Sequence, residues 1–137
     1  IDIDTEIEKL EKDTISKIFL KKGEKYFRRI EEKVVLNNLN SKFKVISLGG
    51  GSFINKKIRI TIKKDHFSVW LNWKNDTLIE RINKNDKRPL VKNLSKKELV
   101  NIIKERSVIY SEADIKIDCE NLNKKEIINK IIKIYEN

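Results

Sequence analysis

The chain has 137 residues, 38% of them charged, and a formal net charge of +10, which allows one domain with a real core. Its basic excess is Lys spread among Ile and Asn, with only six of the 31 basic residues being Arg. This reads as the codon bias of an AT-rich genome, and with no basic-aromatic motif it argues against a nucleic-acid partner. Cys119 stands alone, which excludes a disulfide framework and a cysteine metal cluster and fits a reducing cytosol. No apolar run approaches a membrane span and no signal peptide is visible.

In chain order, Ile1 to Asp4 reads as the end of a strand entering a helix that carries Ile7 and Leu10. Asp13 or Thr14 caps the next helix, with Ile15, Ile18 and Phe19 on its apolar face. Gly23 interrupts, and a longer helix follows with Phe27, Ile30, Val34 and Val35. Phe43 to Leu48 is β-branched and ends at Gly49-Gly50-Gly51, so it is predicted as a buried strand entering a loop. Ile54 to Ile62 fits either period: Ile58, Ile60 and Ile62 alternate, whereas Ile54, Ile58 and Ile62 are helically spaced. Phe67 to Leu71 is predicted as a strand, and Asn75 or Asp76 as the cap of a helix with Leu78, Ile79 and Ile82. Residues 83–98 are polar and loop-like at first, and Pro89 keeps Arg88 out of helical geometry. Ser95 and Glu98 form a capping box before Leu99, Ile102 and Ile103. Ile115 and Ile117 mark a short strand, and Asn123 with Glu126 opens a C-terminal helix through Tyr135. Alternating strands and helices predict an α/β domain with a parallel sheet.

Several groups could carry chemistry. Asp2 and Asp4, two apart at a strand's C-terminal end, lie where α/β folds bind ligands. Side chains two apart on a strand share a face, so one carboxylate could hold Mg²⁺ through water and the other accept a hydroxyl proton. Helix capping by Asp4 is the alternative. Arg28 and Glu31 share a helix face, as an oriented carboxylate fork or as a surface ion pair. Three successive glycines suit close ligand approach or positive φ, or else an ordinary turn. Arg88 in a polar loop could meet a transferring phosphoryl group and Arg81 could stack on a flat base, or the stretch is a solvated basic loop. Arg106 is a second anion clamp or a cation favoured at a helix C-terminus. His66 reads as structural or surface and not as a base, and Trp70 and Trp73 as packing residues.

Together these motifs resemble the shikimate kinase family over essentially the whole chain. The resemblance rests on Asp2-Ile3-Asp4 followed by Ile7-Glu8, and on Gly23-Glu24, Phe27-Arg28-Arg29-Ile30-Glu31 and the glycine triplet. It continues through Thr77 to Arg81, Arg88-Pro89-Leu90, Arg106 to Tyr110 and Ala113-Asp114. It implies a three-layer, parallel-sheet P-loop kinase fold, with residues 83–98 as an approximate lid. It also implies transfer of the ATP γ-phosphate to the 3-hydroxyl of shikimate, with Mg²⁺, in aromatic amino-acid (chorismate) biosynthesis, by a cytoplasmic monomer. Arg28 and Arg106 would grip the shikimate carboxylate, and Glu31 would orient Arg28. Asp4 would bind the ring hydroxyls and assist deprotonation of the attacking one. Gly50, flanked by Gly49 and Gly51, would offer backbone N–H to the substrate, and Phe19 and Phe27 would pack beside the ring. Asp2 would support Mg²⁺ through water, Arg88 would meet the ATP phosphates, and Arg81 would lie against adenine.

The departures from the family pattern carry expectations too. The strand, Gly-x-x-x-x-Gly-Lys-Ser/Thr loop and helix that the family has before its Asp-x-Asp motif are not in the sequence, which also lacks Met. The glycine triplet cannot substitute, because Ser52 and Phe53 follow it where Lys-Ser/Thr would be needed. The expectation is a single domain over 1–137 lacking its phosphate-loop segment, poorly stable and inactive by itself. The alternative is a related binding protein that never had a phosphate loop. Lys12 stands where Gly is common, Val108 where Pro is common, and 119–123 lacks the usual Pro of the adenine-side loop.

Overall fold

A computed structural model describes residues 1–41, 45–84, 91 and 94–136. Its helices are α1 (Ile3–Glu11), α2 (Ile15–Leu39), α3 (Lys56–Asp65), α4 (Asn75–Asn83), α5 (Lys96–Tyr110) and α6 (Lys124–Tyr135). The strands are β1 (Val69–Asn72) and β2 (Ile115–Asp118), and a 3-10 turn covers Ser52–Ile54.

Local chemistry sets most helix ends. Thr14 caps α2 by accepting from the Lys17 N–H, and Asp13 accepts from the Thr14 N–H, so both candidate residues serve that end. Ser95 and Asn123 form the two expected capping boxes with Glu98 and Glu126. The expected Asn75 or Asp76 cap is corrected: Lys74 holds that position without a side-chain bond, and both candidates lie in the first turn of α4. There the Glu120 carboxylate accepts from the Lys74 N–H at 3.0 Å, a tertiary partner that local spacing does not reveal. At the end of α1, Lys12 takes a left-handed backbone (φ 53°), a conformation that suits glycine. Gly23 kinks α2 with φ 78° and ψ 170°, a region essentially restricted to glycine.

The main core lies among α1, α2, the 3-10 turn and α3, built from Ile3, Ile7, Ile18, Phe27, Val35, Phe53 and Ile58 with their neighbours. The 54–62 ambiguity resolves as helix: Ile58 and Ile62 are buried in that core while Ile60 faces outward. Strands β1 and β2 pair in parallel, Val69 opposite Ile115 through Asn72 opposite Asp118, with α4 and α5 in the connection. That parallel pairing across helices is the expected α/β arrangement. At the strands' entry, Asp114 accepts from both the N–H and the hydroxyl of Ser68, at 2.8 and 2.6 Å.

The buried strand predicted over Phe43–Leu48 is not formed by its described residues, 45–48. Lys42, Phe43 and Lys44 lie outside the described residues, and Val45 is 89% exposed. A single parallel bridge joins Ser47 to Asp2, through Ile3 N–H to Ser47 O at 3.1 Å and Ser47 N–H to Ile1 O at 2.7 Å. A strand is buried only where neighbours cover both faces, and no described residue covers Val45.

Candidate active site

Two aspartates, two arginines, a glutamate and the glycine triplet gather where α1, α2 and α5 meet the turn after Ser47. Asp2 and Asp4 do not share one strand face as expected. Asp2 pairs with Ser47 and then caps α1, its Oδ1 accepting from the Thr5 N–H at 2.9 Å, whereas Asp4 stands in the first helical turn. Capping therefore belongs to Asp2 and not to Asp4. Asp4 is an exposed side chain beside Gly49: a Cβ built on Gly49 would lie 3.2 Å from Asp4 Oδ1 and 3.5 Å from Glu31 Oε1.

Arg28 and Glu31 meet on one face of α2, Arg28 Nη1 donating to Glu31 Oε2 at 2.7 Å. Arg28 Nε also donates to Glu24 Oε1 at 3.4 Å. The acid is no surface group, because Glu31 is 3% exposed, and its Oε1 accepts from the buried Ser52 hydroxyl at 2.7 Å. Burial opposes the Arg28 charge, but the hydrogen bond and charge of Glu31, with help from Glu24, outweigh it and hold the guanidinium pKa above its usual value. A cation at this position stays charged at any working pH. The Arg28 guanidinium also lies 5.3 Å from the Phe27 ring centre, and Phe27 packs on Phe19 with centroids 4.5 Å apart.

From α5, Arg106 Nη1 approaches Gly50 O at 3.4 Å, and the Tyr110 hydroxyl donates to the same oxygen. Arg106 precedes the last turn of α5, which holds no basic residue, so it does not serve as a helix-end cation. Tyr110 is placed by the Phe53 and Trp70 rings, at 6.5 and 5.9 Å.

Each glycine thus abuts a different functional group: Gly49 against Asp4, Gly50 against Arg106 and Tyr110, Gly51 against Arg28. A Cβ on Gly51 would overlap that guanidinium, coming within 2.7 Å of its Cζ. Gly23 is the one glycine with positive φ among the described residues, so the triplet exists for close approach and not for dihedral freedom.

Other candidates lie elsewhere. Arg81, in the last turn of α4, stacks its guanidinium 4.4 Å above the Trp73 ring. Trp70 packs on Tyr110 and under Lys116, so both tryptophans act as packing surfaces. His66 closes α3 through its backbone N–H to Ile62 O. Arg88 lies outside the described residues, as does the lid segment apart from its helical ends and the stretch at Val91 and Leu94. Sequence reasoning gave no role to Glu24, Ser52 or Tyr110. Helical spacing from Arg28 and Arg106 could have found Glu24 and Tyr110, but nothing in the local pattern marks Ser52. Among the described residues, no three His, Cys, Asp or Glu converge as a metal cage, and no helix is long and apolar enough to cross a membrane.

Comparison with known proteins covers nearly the whole chain. The family model described as shikimate kinase matches residues 1–136. The shikimate kinase of Rhizobium meliloti is 38% identical over 133 residues, which cover 96% of this chain and 69% of that protein. Among solved structures, the shikimate kinase from Aquifex aeolicus superposes with a TM-score of 0.83 at 33% identity, covering 98% of this chain and 79% of that one. The shikimate kinase from Acinetobacter baumannii in complex with shikimate gives 0.90 at 28% identity, covering 98% and 76%.

Proposed function

The chain belongs to the shikimate kinase family, and on that premise we propose that the glycine-triplet site binds shikimate and positions one ring hydroxyl to receive the ATP γ-phosphate. The observation that carries this reading is the convergence of Asp4, Arg106 and Arg28 on three successive glycines. Arg28 and Arg106 hold the substrate carboxylate, which a planar guanidinium fork matches in geometry and charge. Glu31 keeps the Arg28 fork aimed, and the exposed Gly50 offers its backbone N–H. The half-buried Phe19 ring, tilted against the buried Phe27, gives the cyclohexene ring an apolar wall.

Asp4 accepts hydrogen bonds from the ring hydroxyls and takes the proton of the attacking one. Phosphoryl transfer asks little covalent chemistry of the protein, so positioning and charge complementarity do the remaining work. Mg²⁺ would be held through water by the exposed Asp2 and by the phosphates, the usual few-ligand arrangement for this ion, and it would neutralise phosphate charge. Arg81, exposed and backed by Trp73, offers adenine a flat cationic surface. Arg88 is assigned to the ATP phosphates on its sequence context alone, within the lid at 83–98. We place the protein in the cytoplasm as a monomer, where the buried Cys119 stays a thiol, its pKa pushed up by burial.

Calorimetric titration with shikimate tests the clamp. Arg28→Ala and Arg106→Ala should each weaken binding roughly ten- to hundredfold, the range for a lost charge-assisted hydrogen bond. Unchanged affinity in both variants sinks the reading. Asp4→Asn should keep shikimate affinity within a few-fold and, in protein that carries a phosphate-loop segment, lower kcat by roughly 10²- to 10⁴-fold in an ADP-release assay, as for loss of a general base.

A further inference from the structure

We infer that Ser52 is a positioning residue for the carboxylate clamp: its hydroxyl fixes the plane of the buried Glu31 carboxylate, and that plane sets the direction of Arg28. The inference rests on the reading of this site as a shikimate clamp.

The terminal torsion of a glutamate is soft and roughly two-fold, so one hydrogen bond does not define its plane. Arg28 Nη1 occupies Oε2 of Glu31 at 2.7 Å, and the Arg28 side chain is itself one-third exposed, so it is the mobile partner. Ser52 supplies the second donor, on Oε1 at 2.7 Å, from a residue with no exposed surface. Ser52 is anchored in turn. Its N–H donates to Gly49 O at 3.0 Å, and its carbonyl accepts from the Asn55 N–H at 3.1 Å. The Glu31 carboxylate is therefore tied to the same turn whose third glycine leaves room for the guanidinium. Through one side chain, the Arg28 fork and the glycine turn keep a common register.

A merely structural Ser52 would only satisfy a buried acceptor. Its loss would then weaken the fold, and all ligands with it. A positioning Ser52 affects recognition of the carboxylate alone, and only through Glu31. The test titrates wild type, Ser52→Ala, Glu31→Gln and the double variant with shikimate and with its methyl ester, alongside thermal melts. Ser52→Ala should lose about tenfold in shikimate affinity, typical of a residue that orients a ligating group, while methyl shikimate changes by less than about twofold. In the Glu31→Gln background, Ser52→Ala should add less than about twofold.

Equal loss for both ligands, an undiminished effect in the Glu31→Gln background, or unchanged shikimate affinity overturns the inference. Should Ser52→Ala not fold, Ser52→Cys keeps the shape with a weaker donor, and an unchanged shikimate-to-ester ratio there overturns it equally. Wild type that fails to prefer shikimate over its ester refutes the clamp itself, whatever Ser52 does.

Discussion

Gly51→Ala adds one methyl at a position whose backbone, φ −99° and ψ −22°, any residue adopts. The fold has no dihedral objection, and a less flexible unfolded chain contributes about 0.4–1 kcal/mol in favour of the variant. The new Cβ collides with the far end of the Arg28 side chain, which must swing away from Glu31. A hydrogen bond between charged groups nominally stabilises by ~1.5–3 kcal/mol. Arg28 is one-third exposed and regains water, but Glu31 is 3% exposed and among the described residues keeps only the Ser52 hydroxyl, so the loss stays at about 2–3 kcal/mol. The gain offsets only part of that loss, so urea unfolding should place the variant about 1–2 kcal/mol below wild type. Shikimate binding has no such compensation. Losing the guanidinium contact to its carboxylate should raise Kd roughly ten- to hundredfold by calorimetry. The neighbouring glycines are internal controls. A Cβ on Gly50 meets Tyr110 and Arg106 at ordinary distances of 3.6 and 3.7 Å, while one on Gly49 presses on Asp4 Oδ1 at 3.2 Å. The loss of affinity should therefore rank 51, then 49, then 50. A Gly50→Ala variant as damaged as Gly51→Ala, or Gly51→Ala binding like wild type, would refute the argument from close approach.

Gly23→Ala forces an L side chain into φ 78°, ψ 170°, and should cost about 1–3 kcal/mol in urea unfolding; no loss would mean that the α2 kink relaxes freely. Lys12→Gly is the converse, relieving a left-handed φ of 53°, and should stabilise by about 1 kcal/mol; a destabilised variant would show that the lysine serves another purpose. Tyr110→Phe removes the phenol that holds Gly50 O and should weaken shikimate binding by a few-fold, in line with ~0.5–1.5 kcal/mol for a neutral hydrogen bond. The Ser68 hydroxyl, then its N–H, hold the Asp114 carboxyl below its ordinary pKa of 3.8. A depressed native pKa gives stability that is full above 3.8 and lost as pH falls through the native value. Ser68→Ala should therefore lower the urea midpoint at neutral pH, and the two proteins should converge below pH 3.8; a pH-independent gap would contradict the linkage.

The helices were legible because their determinants are local. Thr14, Ser95 and Asn123 sit where their side chains can reach the third residue on, and apolar spacing shows which face of α2 is buried. The candidate site residues were legible as residue types in order: Asp4, Arg28, Glu31, the three glycines and Arg106, which the structure gathers around one turn. Strand burial was not, because β-branched residues at 45–48 state a preference for extended backbone and say nothing about what covers it. The period of 54–62 was likewise undecided until the core took Ile58 and Ile62 and left Ile60 outside. The acid that caps α1 followed from backbone geometry, since only the residue with extended φ/ψ just before the helix can accept from its first free N–H groups, and that residue is Asp2. Helical spacing puts Tyr110 on the face of Arg106, but what Ser52 and Tyr110 bind was decided by the tertiary structure. Their partners lie 21 and 60 residues away, Glu31 and Gly50, and no local pattern encodes a hydrogen bond across that distance.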